Sequence, residues 1–367
     1  MSDTVRIVDP HRPGRGTRLR DYVRLTKPRI IELLLTTTLP AMVVAGGGWP
    51  GWWPAVAALI GGSLSAAGAN TINQVIDADI DRMMRRTRSR PIAAGRVAVR
   101  PALLYGVALG TAGFVWLFVT TNLLAAVLST AGLLLYVFVY SLFLKRTTTQ
   151  NIVIGGAAGA VPPLVGWAVV DDALALPAWI LFAVVFLWTP PHFWALALRY
   201  RDDYERAAVP MLPVVVGTEM TVGHIALYSV ATVGVSLLLA PWVGWVYLTS
   251  VVVLGAWFIG GAFALHSEPH RAMRYFTATN GYLAGVFLAA AVDVLVLGGW
   301  ALSGAALTAV LTAGSAAVVG PLVVIAFREL RTHPERRLVG RVRDTVEVLA
   351  APLAMAILVV ATWSEIL

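Results

Sequence analysis

Along this chain, apolar stretches of about 20 residues alternate with short polar breaks, and that is the length at which an α-helix crosses a bilayer. The pattern predicts spans at 30–48, 51–74, 101–119, 122–143, 151–170, 176–198, 219–240, 245–265, 277–298, 302–327 and 345–364. The loops between them are short, so consecutive spans should pack as antiparallel neighbours in one helical bundle. Composition agrees. Apolar residues make up 58% of the 367 positions and charged residues 13%, against roughly 45–50% and about 25% in soluble domains. The fold class is all-α, a polytopic membrane bundle.

There is no cysteine, which excludes disulfides, thiolate zinc sites and a cysteine nucleophile. The net charge of +8 raises the question of nucleic acid, and the distribution answers it. Under an eleven-span count, all 28 lysines and arginines fall on one side of the membrane. The positive-inside rule then puts the N-terminus in the cytoplasm. The basicity is topological, and no nucleic-acid partner is implied. Residues 1–20 form a basic tail without the short apolar core of a secretory signal. Residues 21–298 hold the polar clusters, and 299–367 form an extension with two further spans.

The first cluster is N-Q-V-I-D-A-D-I-D-R-M-M-R-R-T-R-S-R-P, from Asn73 to Pro91. Asn73, Asp77 and Asp81 recur every four residues, and Arg85 continues the series, so on a helix they share one face. Asp79 faces the other way. An amide and two carboxylates on one stripe offer hard oxygen ligands of the kind Mg²⁺ takes, with substrate phosphate completing its shell. The arginines beyond (Arg82, Arg85, Arg86, Arg88, Arg90) suit a diphosphate, because guanidinium pairs with phosphate in bidentate fashion. The competing account is Asp–Arg pairing on an exposed helix end, worth only about 0.3–0.5 kcal/mol per pair. Asn70 and Asn73 lie within or against an apolar span, where an unsatisfied polar group is costly, and that favours a site.

The second cluster follows the sixth span, in T-P-P-H-F-W-A-L-A-L-R-Y-R-D-D-Y-E-R. Asp202 and Asp203 lie at the same depth and on the same side as Asp77 and Asp81, four spans later. This hints at an internal duplication in which each half delivers one cluster. His192 sits about two turns deeper, after a Pro-Pro pair that should kink the helix. From its residue type alone it is a helix–helix hydrogen bonder or a ligand. Lys145 and Arg146 add charge at the same face, and Pro162-Pro163 bend the fifth span. The resulting cavity is polar at its mouth and greasy below, which suits an amphiphile with an anionic head. A transporter would instead place charge near the membrane midplane, where Asp293 is the main exception.

These stretches resemble the intramembrane UbiA-type prenyltransferase superfamily. Asn73, Asp77 and Asp81 followed by R-T-R-S-R-P are similar to its first diphosphate-binding motif. The ordered series from Y-V-R-L-T-K-P-R through L-K-R-T-T-T-Q-N, T-P-P-H-F-W and D-D-Y-E-R-A-A-V-P-M-L-P to N-G-Y-L-A-G-V-F-L resembles one branch, the protohaem farnesyltransferases (haem O synthases). The likeness runs from about residue 20 to 298, a nine-span core. It implies farnesyl diphosphate and haem b as substrates, Mg²⁺ as cofactor, a bacterial plasma-membrane location with cytoplasmic active-site loops, and a haem A synthase as partner. It implies catalytic roles for Asn73, Asp77, Asp81 and Lys145, and diphosphate binding by Arg86, Arg90, Lys145 and Arg146. Metal binding falls to Asp77, Asp81, Asp202 and Asp203, and a haem contact to His192. The quinone branch, an alternative activity, carries a second D-x-x-x-D, and here Arg199 stands four residues before Asp203.

Overall fold

The computed structural model describes residues 19–298, 304–332, 355 and 357–364. The basic tail before 19 and most of the eleventh expected span lie outside these residues. A short amphipathic helix, α1 (Leu19–Thr26), leads into α2 (Pro28–Ala45), α3 (Trp52–Ile76), α4 (Ala78–Met83), α5 (Val99–Thr120) and α6 (Leu123–Thr147). Then come α7 (Asn151–Asp171), α8 (Leu176–Arg199), α9 (Arg201–Arg206), α10 (Leu212–Val215), α11 (Gly217–Leu237), α12 (Trp245–Ala264), α13 (Ala272–Leu297) and α14 (Gly304–Thr332). No strand occurs among the described residues.

Nine helices among the described residues are long and apolar enough to cross a membrane: α3, α5, α6, α7, α8, α11, α12, α13 and the Ala306–Val324 part of α14. Of the first expected span, α2, the stretch Thr36–Ala45 is apolar helix. The chain is an integral membrane protein.

The long helices close into a ring. Each of α2, α3, α5, α6, α7, α8, α11, α12 and α13 packs on the next, and α13 returns to α2. Across the middle, α2 also meets α7 and α8 meets α13. The most enclosed of the spans is α8, so its Pro190 and Pro191 interrupt helical hydrogen bonding where protein, not lipid, surrounds the freed carbonyls. The outer faces of α5, α6 and α12 expose large apolar side chains such as Leu104, Phe138 and Val253, as lipid contact requires. Trp49, Trp52, Trp53 and Trp245 stand exposed at the ends of helices opposite the charged clusters, where an interfacial aromatic belt belongs. The extension helix α14 packs on α11, outside the ring.

Two polar features of the bundle are structural. Asn70 and Gln74, one turn apart on α3, donate to the backbone carbonyls of Thr26 and Leu25 at 3.2 and 2.7 Å. They satisfy the orphan acceptors at the end of α1 and dock that helix onto the bundle. Asp293 on α13 accepts the backbone N–H groups of Gly244 and Tyr247, both at 2.8 Å. It therefore caps the start of α12 from a neighbouring helix, and is a helix–helix hydrogen bonder.

Candidate active site

The stripe Asn73, Asp77, Asp81 keeps its helical register. The N–H of Asp77 bonds to Asn73 O at 2.9 Å and that of Asp81 to Asp77 O at 2.8 Å. The helix nevertheless bends at Asp77 (φ −85°, ψ 6°), which separates α3 from α4. It also ends at Met83, so Arg85 does not continue the stripe but lies exposed in the turn that follows. Both carboxylates are deeply enclosed, Asp77 at 1% and Asp81 at 2% exposure.

Asn73 uses its whole amide to hold this arrangement. Its Nδ2 donates to Asp77 Oδ2 at 2.8 Å and to Ser141 Oγ at 3.0 Å, while its Oδ1 accepts from Lys27 Nζ at 2.9 Å. A lysine is only a donor, which fixes the amide orientation. Asn73 therefore positions Asp77, and its oxygen faces an ammonium group. Lys27 occupies the elbow between α1 and α2. Pro28 disfavours the right-handed conformation there, and Lys27 takes the left-handed one (φ 52°), at a cost of roughly 1–2 kcal/mol for a residue with a Cβ. Burial lowers the pKa of its ammonium well below the usual lysine value, with the Arg90 charge adding to this and Asp77 opposing it.

The far wall comes from α6, which is a π-helix over Leu135–Leu144. That widened turn lets Ser141 donate to Tyr136 O at 2.7 Å while it accepts from Asn73. One residue past the π segment, Lys145 donates to Asp77 Oδ2 at 2.5 Å. Tyr136 and Tyr140 stack with ring centroids 5.5 Å apart, and a Cβ at Gly155 on α7 would collide with the Tyr140 ring. Arg146 turns elsewhere. It holds Asp79 through two 2.8 Å contacts and donates to Ile76 O at 3.1 Å, on an exposed edge. That pairing holds the Asp79 carboxyl at about 2, below its ordinary 3.8.

The second cluster meets the first through Arg86. Its backbone N–H donates to Asp203 Oδ2 at 3.2 Å, and its guanidinium donates to Tyr204 Oη at 3.1 Å and lies over the Tyr200 ring at 5.1 Å. Asp203 is buried at 5% exposure and also pairs with Arg206. Its neighbour Asp202 is exposed. Arg90 binds both oxygens of Asp81 at 2.8 Å. The fold thus brings together Asn73, Asp77, Asp81, Arg86, Arg90, Lys145 and Asp203, and directs Asp202 and Arg146 away from them. His192 lies in a separate, deeper layer, stacked between Trp188 and Phe276 with centroids 4.3 and 4.2 Å away.

Comparison with known proteins gives the family and the fold. A model of the UbiA prenyltransferase family matches residues 34–279. The chain belongs to the UbiA prenyltransferase family. Two relatives from Saccharopolyspora erythraea, Protoheme IX farnesyltransferase 2 and 1, are 50% and 51% identical over 75% and 78% of this chain and 86% and 93% of their own. The Protoheme IX farnesyltransferase of Gloeobacter violaceus is 49% identical over 78% of this chain and 95% of its own. Among solved structures, a digeranylgeranylglyceryl phosphate synthase superposes with a TM-score of 0.63 at 20% identity, over 76% of this chain and 98% of its own. A UbiA homologue from Archaeoglobus fulgidus bound to DMAPP and Mg²⁺ superposes with a TM-score of 0.54 at 19% identity, over 74% and 99%. The UbiA model ends before α14, so the extension stands outside the matched region.

The donor set of this UbiA-family site fits a divalent ion completed by substrate. Asp77 Oδ1 is buried with no hydrogen-bond partner, an orphaned acceptor of the kind a cation satisfies. Among the described residues no group of three or more acidic, imidazole or thiol side chains is placed to hold a metal ion by itself. Mg²⁺ needs no all-protein cage, because it retains waters and takes phosphate oxygens. Sequence reasoning missed four residues. Lys27 was visible only as the lysine before a proline in the K-P-R stretch. Ser141 was a lone hydroxyl in an apolar run, and Tyr204 stood beside Asp203. Thr279, which the next layer depends on, carried no signal.

Proposed function

We propose that this chain is a protohaem IX farnesyltransferase, which moves the farnesyl group of farnesyl diphosphate onto a vinyl group of haem b to give haem O. The observation that carries this reading is the identity of about half of the aligned positions with protohaem IX farnesyltransferases, over 75–78% of this chain and 86–93% of those relatives. The site chemistry supports it. Asp77, Asp81 and Asp203 would share Mg²⁺ with the diphosphate oxygens, since among the described residues no three carboxylates reach a common ion by themselves, and the metal would supply charge to the departing diphosphate. Arg86, Arg90 and Lys145, already at those carboxylates, would bind the diphosphate oxygens as charge develops on them, an electrostatic contribution made where water is scarce. Arg146 would act one step back, through Asp79.

In the reaction, the bond from farnesyl C1 to oxygen breaks and its electron pair leaves with the diphosphate. The allylic cation so formed is attacked by the haem vinyl group, which creates the new carbon–carbon bond. Water captures the second cation and loses a proton, leaving the hydroxyethylfarnesyl side chain. The Tyr136–Tyr140 stack presents aromatic faces suited to an allylic cation, and the apolar bundle below excludes water until the acceptor is in place. We assign the clusters, with the N-terminus, to the cytoplasmic side of the plasma membrane, and the product to a haem A synthase as its consumer.

The test uses purified protein in nanodiscs with farnesyl diphosphate, haem b and Mg²⁺, followed by mass spectrometry. Haem O should form, vanish with EDTA and return with Mg²⁺. Prenylation of an aromatic acid with haem b untouched would sink the reading. The absence of native cysteine makes single-cysteine labelling a direct check of sidedness.

A further inference from the structure

His192 is held more tightly than a packing residue requires. Its ring lies between Trp188 and Phe276, tilted from them by 20° and 26°, and Phe193 meets its edge. This fixes the plane of the imidazole but not its orientation within that plane. A half-turn about the last side-chain torsion would keep both stacks and exchange the nitrogens for carbons. Thr279 on α13 decides between the two. Its Oγ1 lies 2.6 Å from His192 Nδ1 and donates its own hydrogen to Phe276 O at 2.8 Å. A hydroxyl has one hydrogen, so Thr279 can only accept from the imidazole. That arrangement favours the tautomer with the proton on Nδ1.

The consequence falls on the other nitrogen. In a neutral imidazole protonated at Nδ1, Nε2 carries a lone pair. Among the described residues no hydrogen bond to it occurs, and it is not among the polar atoms sealed without a partner. The same α13 residue also anchors Trp188, whose Nε1 donates to Thr279 O at 2.8 Å. One threonine thus fixes the stacking partner and the tautomer together. An imidazole whose far N–H is engaged by a neighbouring oxygen is the arrangement that presents Nε2 to a metal ion. The ring lies seven residues before the end of α8, about 10 Å below the carboxylate layer at 1.5 Å per residue.

We propose that Thr279 is a positioning residue that locks His192 as the Nδ1–H tautomer, so that Nε2 ligates the iron of the haem substrate. This rests on the farnesyltransferase reading for the identity of the substrate. Ligation through the iron leaves the porphyrin edge, with its vinyl groups, free to lie towards the diphosphate layer. Thr279 touches no substrate and acts through His192.

The experiment titrates haem b into the purified full-length protein and reads absorption and electron paramagnetic resonance spectra, with product formation measured separately by mass spectrometry. Wild type should show an imidazole-ligated spectrum. H192F keeps both aromatic stacks and cannot ligate, so it should lose that signature, and added imidazole should have no effect on it. In H192G added imidazole should restore the signature. T279V removes the acceptor and should weaken haem affinity by about 10–100-fold, the usual range for an outer partner of a metal-binding histidine, while T279S should bind as wild type does. A packing role alone would lower thermal stability in T279V without moving the spectrum. If H192F retains the wild-type spectrum, or T279V binds haem as tightly as T279S, the proposal is overturned even where haem O is made. If wild type ligates haem through imidazole and makes no haem O, the ligation stands and the farnesyltransferase reading fails. A wild type that binds no haem overturns both.

Discussion

Asp77 and Asp203 are both buried carboxylates at the end of a long span that leads into a short helix, yet they are held by different means. Asp77 is supported from its own helix by Asn73, one turn earlier, and from α6 by Lys145. Asp203 has no such partner one turn back, where Arg199 stands, and depends on the backbone of Arg86 and on Arg206. Beside it, Asp202 is exposed, whereas Asp79, the exposed neighbour of Asp77, is bound by Arg146. The first cluster is a multiply supported pair of buried carboxylates. The second brings a single buried carboxylate to the backbone of Arg86.

If that difference is functional, substitutions should fall in a definite order. Asp77→Ala should lower kcat/KM for haem O formation on the order of 10³-fold, since it removes the orphaned acceptor and strands Lys145. In cells, haem O and its oxidised derivative should disappear from extracts analysed by mass spectrometry. Asn73→Ala should cost about 10²-fold by releasing Asp77, and it should be far from additive with Asp77→Ala in a double-mutant cycle, because both act through one carboxylate. Full additivity would show that Asn73 has a role of its own.

Asp203→Asn should cost less, roughly 10–100-fold, with the loss appearing mainly as a higher Mg²⁺ requirement. Asp202→Asn should change activity by less than about fivefold, the scale of an exposed charge. Equal losses at 202 and 203 would erase the asymmetry. The smallest effect belongs to the Asp79–Arg146 pair. Asp79 has a depressed folded-state pKa of about 2, so its contribution to stability is present above pH 3.8 and is lost as pH falls towards 2. Arg146→Ala should remove that acid-side step from thermal unfolding curves and change stability at neutral pH by about 0–1 kcal/mol, because the pair is exposed.

How much of this was legible follows from the range of the interactions involved. The spacing of Asn73, Asp77 and Asp81 is local, and a helix turn carries it into the structure unchanged. The termination of that helix at Met83, which removes Arg85 from the stripe, was not legible, because arginine is itself a good helix former. Arg146 and Lys145 are adjacent and chemically alike, yet they are sent to Asp79 and Asp77. Helical geometry points neighbouring residues in different directions, and only the docking of α6 on α3 decides which faces inward. The π segment of α6 escapes any apolar periodicity, since every residue in it but Tyr and Ser is aliphatic or Phe.

By itself the sequence determined the membrane bundle, its family and the chemistry available at one face. Those properties depend on composition, on the length of apolar runs and on short-range spacing. Only the tertiary structure showed that Asn73 bonds Asp77, that Lys27 reaches Asn73, that Asp203 is buried against Arg86 while Asp202 is exposed, and that Thr279 meets His192. The last three join residues 46 to 117 positions apart. Such contacts are created by helix packing, which no local pattern encodes.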